Sequence, residues 1–191
     1  MDDVTQSNIN QLMKEAQPRV RNRVAECMNI YKAMRWKHVA FVIPTNPIPS
    51  HRPRLCGYRV YVPGAAKNQA FFNKVVLPTL NNLFITTPCK VSTELYIQTP
   101  KSFSSLQKIL AEMKILRPWG NVGDVDNYLK SILDQIQPNE KRGHVGIMAN
   151  DSLVIDEDTH KYYSMTPRAE VTIHYMGKLP EQLMKILRMI K

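Results

Sequence analysis

The sequence has few of the residues that build a covalent or metal-stapled scaffold. It contains three cysteines in 191 residues, Cys27, Cys56 and Cys89, and no CxxC pair. An odd number of widely spaced cysteines argues against a zinc site and a disulfide framework, and it indicates a reducing compartment. The apolar run Val39–Ile43 is far shorter than the ~20 residues that a membrane span needs. The acidic, polar start MDDVTQSN does not read as a secretory signal, so we expect no membrane partner.

Nucleotide-binding motifs are also missing. Neither GxxxxGK[ST] nor GxGxxG occurs, which argues against a nucleoside triphosphate site. Hydrophobic residues make up 43% of the chain and charged residues 22%, as in an ordinary globular domain. Disorder, collagen and a disulfide-rich mini-protein are therefore excluded as descriptions of the whole chain.

Acidic residues are scarce except in one window. Lysine and arginine exceed aspartate and glutamate by 26 − 16 = 10, which favours a polyanionic partner such as nucleic acid over a basic protein with no such partner. Residues 124–163 nevertheless hold eight acids and four bases, a net charge of −4, against +14 for the rest. Acids within a phosphate-binding surface make sense where a cation reverses the local charge, and otherwise they form a solvated face.

Hydrophobic periodicity predicts a mixed sheet packed with helices, an α/β (α+β) fold. The predicted helices cover 7–36 with a break at Pro18, then 65–83, 102–115 with Ser102 as N-cap, 125–136 and 180–190. The predicted strands cover 38–44, 58–62, 91–98, 144–149, 153–163 and 168–175. We divide the chain into an N-terminal helical extension (1–38), a central domain (39–176) and a C-terminal helix (177–191).

Two aspartates open the helix predicted from Val125. Asp124 and Asp126 can face one point only if Asp124 precedes the helix and Asp126 lies in its first turn. A third acid, Asp151, follows an apolar run that reads as a strand. Three carboxylates meeting there would form an all-oxygen site, which suits Mg²⁺, with Mn²⁺ as a substitute. Such a site beside a basic surface is typical of phosphodiester hydrolysis, and Lys130 would hold or stabilise the phosphate.

Structural explanations exist for the same acids. Aspartate is a common N-cap and first-turn residue. The row Asp126, Lys130 and Asp134 has i, i+4 spacing and could be a solvated salt-bridge row on one helix face. One acid alone would be explained in this way, whereas the combination favours a metal site.

The acidic segment resembles the DxDNxxKxxxD signature of the RusA-type Holliday junction endonucleases. The matching run is Asp124-Val125-Asp126-Asn127-Tyr128-Leu129-Lys130-Ser131-Ile132-Leu133-Asp134. Asn150-Asp151-Ser152 is similar to the DDS/DDA motif that follows in this family, and Lys161 stands where the family also has a lysine. The segment 48–54, with Arg52 and Arg54, is similar to the family's basic loop. The resemblance covers roughly residues 39–176.

This resemblance implies a RusA-like fold and a homodimer that cuts four-way DNA junctions by paired, symmetric nicks. It implies Mg²⁺ held by Asp124, Asp126 and Asp151, with Lys130 as the essential lysine. Arg52, Arg54 and Lys161 are then predicted to contact DNA, and Asn127 and Asp134 to support the ligands. We expect the protein to be cytoplasmic, in a bacterium or a virus-infected host cell, and to be associated with the nucleoid.

Two positions depart from the family pattern and keep alternatives open. Asn150 replaces the first acid of the DD pair, and Gly123 stands where an arginine can occur. One alternative is a non-catalytic DNA-binding or regulatory protein on the same fold. Another is a nuclease for other branched DNA, such as flaps or forks.

Two aromatic residues outside the motifs have two possible roles. Trp119 and Phe103 could stack on an unpaired base at a junction centre, but packing in a core or loop is the commoner role for each. The five histidines have no ligand spacing, and we assign none of them a role.

Overall fold

A computed structural model describes residues 3–50, 54–56, 59–61, 65–120, 122–177, 183 and 185–186. Helices within the described residues are α1 (Asp3–Glu15), α2 (Pro18–Ala33), α3 (Ala65–Phe71), α4 (Ser105–Glu112) and α5 (Val125–Ile136). The strands there are β1 (Trp36–Ile43), β2 (Arg54–Cys56), β3 (Arg59–Tyr61), β4 (Cys89–Gln98), β5 (Val154–Ser164) and β6 (Arg168–Met176). The predicted α+β class is confirmed. None of the described helices is long and apolar enough to cross a membrane.

The chain divides into two compact units. One comprises residues 37–175, and the other comprises residues 1–36 together with 176–191. The second unit holds α1 and α2, which are separated at Pro18 as predicted, because proline has no N–H to donate and is accepted only in a helix's first turn. Of the predicted C-terminal helix, only Leu183, Lys185 and Ile186 lie among the described residues, and all three are helical.

The larger unit is built on a four-stranded mixed sheet in the order β1-β6-β4-β5. Strand β4 pairs in parallel with β5 and antiparallel with β6. A parallel pair needs a crossover connection, and helices α4 and α5 lie in the segment that joins β4 to β5. A separate two-stranded ribbon is formed by β2 and β3.

One face of the sheet is apolar and carries the core. Side chains alternate between the two faces of a strand, and in β4 the buried residues alternate with more exposed ones along most of the strand. The buried face contributes Val91, Leu95, Val171 and Ile173, and α5 packs its apolar residues into the same cluster. The sheet therefore supplies a fixed base for the start of α5.

The predicted strand at 144–149 is wrong. This segment makes only isolated bridges, Ile85 with Met148 and Asn139 with His144. Gly146 has φ +66°, and a Cβ there would lie 2.5 Å from the backbone carbon of Gln137. The backbone approaches another backbone too closely for a regular strand with side chains on both faces.

Two predicted helices differ in detail. The N-cap of α4 is Ser104 rather than Ser102, because Ser104 and Gln107 form a reciprocal capping box. The helix predicted over 65–83 begins at Ala65 but changes at Phe72 to a π-helical turn and then to a 3-10 turn that contains a proline. Proline lacks the N–H of a regular helix, which accounts for the tighter ending.

Candidate active site at the start of helix α5

Asp124 and Asp126 occupy the two positions that the sequence predicts. Asp124 is the N-cap residue of α5, with extended backbone angles of φ −81° and ψ 152°, and Asp126 lies in the first turn. The carboxylate of Asp124 makes no capping hydrogen bond. Both side chains are exposed. Capping therefore does not explain Asp124, and both carboxylates are accessible to a ligand.

Both aspartates line one open cleft of about 790 Å³. The end of β4, Tyr163 of β5, residues 49–50 and the start of α5 all contribute to it. Its lining comprises Pro49, Ser50, Ile97, Gln98, Pro100, Val122, Gly123, Asp124, Asp126, Asn127, Tyr128 and Tyr163. The cleft thus combines two carboxylates with a mostly uncharged wall.

Three hydrogen bonds hold the backbone around these acids. The ammonium of Lys161 donates to the carbonyl of Gly123 over 2.6 Å. The hydroxyl of buried Tyr128 donates to the carbonyl of Val122 over 2.8 Å. The N–H of Ser50 donates to the carbonyl of Asn127 over 2.8 Å. Strand β5 and the loop after β1 therefore fix the turn that carries Asp124.

Gly123 is required by this turn. Its φ is +78°, and a Cβ would lie 3.2 Å from Pro49 Cγ and 3.3 Å from Tyr128 Cε2. A side chain at this position would have to displace both rings. The absence of an arginine at Gly123 therefore follows from local packing in this chain.

The opposite end of α5 carries a different acidic group. Burial raises the pKa of Asp134, the charges of Lys130 and Arg142 oppose that rise, and the negative charge of Asp151 adds to it. Asp151 begins a short 3-10 turn, Asp151–Leu153, just before β5. Asp151 is thus electrostatically coupled to Asp134.

One copy of the chain does not assemble the three predicted ligands. Within the described residues, which include all three aspartates, no group of three or more His, Cys, Asp or Glu side chains is placed to hold a metal ion. Asp124 and Asp126 still match the donors that Mg²⁺ uses, because this ion commonly takes one or two carboxylates together with substrate phosphate and water. The role of Asp151 as a ligand stays a prediction.

Asn150 acts as a structural cap. Its side-chain oxygen accepts a hydrogen bond from the N–H of Ser152 over 2.8 Å. Aspartate and asparagine both serve in this capacity. The departure from the DD pattern therefore preserves the local turn that presents Asp151.

The first residues of the predicted basic loop line the cleft as far as Ser50. Ser50, which is tied to Asn127, stands two residues before Arg52 in the sequence. Arg52 and the side chain of Arg54 lie outside the described residues, and the backbone of Arg54 begins β2. The predicted DNA contacts of both arginines stay predictions.

Phe103 and Trp119, the two aromatic residues with two possible roles, differ in burial. Phe103 is half-buried and packs edge-on against Tyr163 at a ring separation of 5.3 Å, which confirms packing. Trp119 is 80% exposed, so the expectation of packing is wrong for this residue. The sequence analysis also missed Tyr128 and Tyr163, which line the cleft.

A buried histidine joins the far end of α5 to its surroundings. The ring nitrogens of His144 lie 2.8 Å from Asn73 Oδ1 and 2.5 Å from the carbonyl oxygen of Gln135. Burial lowers the pKa of His144, with the bond to Gln135 acting in the opposite direction. This histidine is a structural residue, which its sequence position alone did not indicate.

Comparison with known proteins places these observations in context. The family model described as Endodeoxyribonuclease RusA matches residues 44–174. The chain is also 32% identical over 142 residues to YqaN of Bacillus subtilis (strain 168), an uncharacterized protein. That match covers 71% of this chain and 94% of YqaN.

Proposed function

The chain belongs to the RusA endodeoxyribonuclease family, and from that premise we propose that it is a Mg²⁺-dependent endonuclease that resolves four-way DNA junctions. It acts as a homodimer that makes paired, symmetric nicks, in the cytoplasm and on nucleoid or viral DNA. The observation that carries the proposal is the pair of exposed aspartates, Asp124 and Asp126, in one open cleft. A net charge of +10 favours DNA as the partner.

Asp124 and Asp126 would hold the ion, with substrate phosphate completing its oxygen ligands. When bound, Mg²⁺ supplies charge neutralisation at the phosphate and a more acidic water molecule. The products would be a 3′-hydroxyl and a 5′-phosphate. Asn127, which lines the same cleft, offers an amide to ligands or substrate.

Two lysines take different parts in this proposal. Lys130 is exposed one turn after Asp126, where an ammonium can bind the phosphate that is cut. Lys161 donates to the Gly123 carbonyl and so positions the turn that bears Asp124. This hydrogen bond supports a positioning role for Lys161 beside its predicted contact with DNA.

In a homodimer, Asp151 has a second site at which it could serve as a metal ligand. Asp151 is coupled to Asp134 at the far end of α5 in its own copy. In a two-copy assembly it could instead complete the cleft of the other copy. Such an arrangement would make cleavage depend on dimer formation.

The test compares three labelled DNA substrates that share sequence: a four-way junction, a fork and a linear duplex. We expect two symmetric cuts in the junction with Mg²⁺, and none in EDTA. Preferential cutting of the fork would favour a nuclease for other branched DNA. Junction binding without cleavage in Mg²⁺ or Mn²⁺ would contradict the proposal and favour a non-catalytic DNA-binding protein.

A further inference from the structure

Trp119 stands out among the large apolar residues of the larger unit. Its side chain is 80% exposed, the highest value among the exposed large hydrophobic residues of the described chain. Tryptophan is highly buried on average, because its exposure to water costs more than that of smaller residues. An exposed tryptophan close in sequence to residues that line the cleft is therefore a candidate contact residue.

The backbone on the N-terminal side of Trp119 is anchored to the sheet. The guanidinium of Arg117 lies 5.4 Å from the ring centre of Tyr162, and its Nε donates to the carbonyl of Lys114 over 3.3 Å. Pro118 is buried. The chain therefore reaches Trp119 from a fixed point.

The backbone on the C-terminal side is anchored as well. The carbonyls of Val122 and Gly123 accept hydrogen bonds from Tyr128 and Lys161. Gly120, next to Trp119, has φ +71°, and nothing lies within 4 Å of the position that a Cβ would take. Arg117 and Val122, which lie on either side of Trp119 along the chain, are therefore held by contacts with other residues of the larger unit, and the indole of Trp119 is exposed.

Trp119 is close to the aspartates along the chain. It precedes Val122, which lines the cleft, by three residues, so their Cα atoms are at most about 11 Å apart. This corresponds to about three base steps of a DNA strand. A strand whose phosphate lies at Asp124 would therefore have nearby bases within reach of the indole.

The segment that contains Trp119 is basic. Residues 99–123 contain four bases, Lys101, Lys108, Lys114 and Arg117, and one acid, Glu112. Of these bases, Lys114 already pairs with Glu94 at 3.3 Å. The carboxylate of Glu112 already accepts a hydrogen bond from the N–H of Met165 over 2.5 Å and is 3.2 Å from Ser164 Oγ. Base stacking on an aromatic ring within a basic groove is a general mode of binding to unpaired nucleic acid.

We propose that Trp119 is a stacking platform for an unpaired nucleobase at the branch point of the DNA substrate. This inference rests on the proposed function, because it deepens the account of which DNA the cleft selects. Bases within a linear duplex are stacked on each other and offer no free face, whereas a branch point can release one. Trp119 thereby favours branched DNA over duplex DNA without reading sequence.

The test measures binding in EDTA, so that affinity is determined separately from cleavage. Trp119→Ala should weaken junction binding by roughly 5- to 100-fold, and leave duplex binding unchanged. Trp119→Phe should retain an intermediate affinity, because a smaller ring still stacks. A 2-aminopurine at the branch point should lose fluorescence when the wild type binds, and keep it with Trp119→Ala.

Ile155→Ala is the matched control, because Ile155 is 59% exposed and is followed by three acids, Asp156 to Asp158. It should bind both DNAs as the wild type does. Equal junction binding by the wild type and Trp119→Ala would overturn the proposal, as would an equal loss on both DNAs. A change in oligomer mass with unchanged junction affinity would assign Trp119 to a protein contact and would also overturn it.

The outcome is separable from that of the proposed function. If the wild type cuts junctions while Trp119→Ala binds them normally, only the stacking role fails. If the wild type never cuts DNA but Trp119→Ala selectively loses junction affinity, the endonuclease activity fails and the stacking role stands.

Discussion

The two ends of helix α5 place acidic residues in opposite environments. At its start, Asp124 and Asp126 are exposed in an open cleft. Near its end, Asp134 is partly buried with a raised pKa, and buried His144 bonds to the carbonyl of Gln135. A carboxylate in water can take up a cation at low cost, whereas the far end has already used its polar groups to hold the fold together.

In our proposal, the metal-binding residues and the residues that stabilise the fold therefore lie at opposite ends of the same helix. The DxDN half of the motif faces the cleft, and the final aspartate of the same motif sits in the structural end. The residues of one sequence motif can therefore have different roles. Substitutions at the two ends of α5 should therefore differ in both the kind and the size of their effects.

Substitution at the cleft end should have the largest effect. Asp124→Asn or Asp126→Asn removes a charged ligand, and we expect junction cleavage to fall by at least about 100-fold. Junction affinity should be unchanged or higher, because one repulsive charge is lost. Single-turnover cleavage and mobility-shift titration measure the two quantities. Glu157→Gln, an exposed acid on β5, is the control and should cleave normally.

Mixing two inactive variants tests whether Asp151 serves the other copy. Asp126→Asn and Asp151→Asn should each be inactive alone. If Asp151 acts across a homodimer, a mixed dimer contains one site with both aspartates intact, and cleavage of one strand should return. If both aspartates act within one copy, each site of the mixed dimer carries a defect and cleavage stays absent.

Lys161→Ala should have a smaller effect than loss of a ligand. Its hydrogen bond to Gly123 orients the turn before Asp124, so we expect about a 10-fold loss of cleavage. Junction affinity should fall by a smaller factor than cleavage, because the predicted contact of Lys161 with DNA is also lost. A variant that cleaves normally but binds poorly would instead support a direct DNA contact for Lys161.

The basic loop should contribute mainly to affinity. Arg52→Ala and Arg54→Ala should each lower DNA binding uniformly and reduce the slope of log affinity against log salt by about 1. Affinity measured at several salt concentrations gives this slope. An unchanged slope for both variants would remove the loop from the phosphate contacts.

Substitution of His144, near the C-terminal end of α5, should have the smallest effect, which is a pH-dependent loss of stability. Because burial lowers the pKa of His144, folding favours its neutral form, and the stability that this provides is present above the unfolded-state pKa and lost as the pH falls through the folded-state pKa. His144→Gln should be less stable at pH 7 by about 1 kcal/mol, with a difference that shrinks toward pH 5. Thermal unfolding across this range measures it.

Local signals predicted helix α5 and the positions of the two aspartates at its start. The apolar spacing of α5 and the aspartates at its start are encoded within a dozen residues, and the structure has the same helix, Val125–Ile136. The capping box formed by Ser104 and Gln107 is equally local, because its S-x-x-Q pattern can be recognised within four consecutive residues. Such features depend only on residues that are neighbours in the sequence.

Features that depend on distant contacts were not predictable. The strand expected at 144–149 fails because Gly146 meets the backbone of Gln137 and Pro138. The negative charge of Asp151 raises the pKa of Asp134 although the two residues are well separated in the sequence. The 80% exposure of Trp119 has no local sequence signal, because tryptophan is highly buried on average.

If the Asp126 carboxylate holds the ion used for cleavage, as we propose, then a softer ligand at this position should change which ions support cleavage. Asp126→Cys replaces a hard oxygen ligand with a thiolate, which disfavours Mg²⁺ and accepts softer ions such as Zn²⁺ or Cd²⁺. Junction cleavage by this variant should be lost with Mg²⁺ and return in part with a softer ion. Cleavage by Asp126→Cys with Mg²⁺ at the wild-type rate would contradict the account.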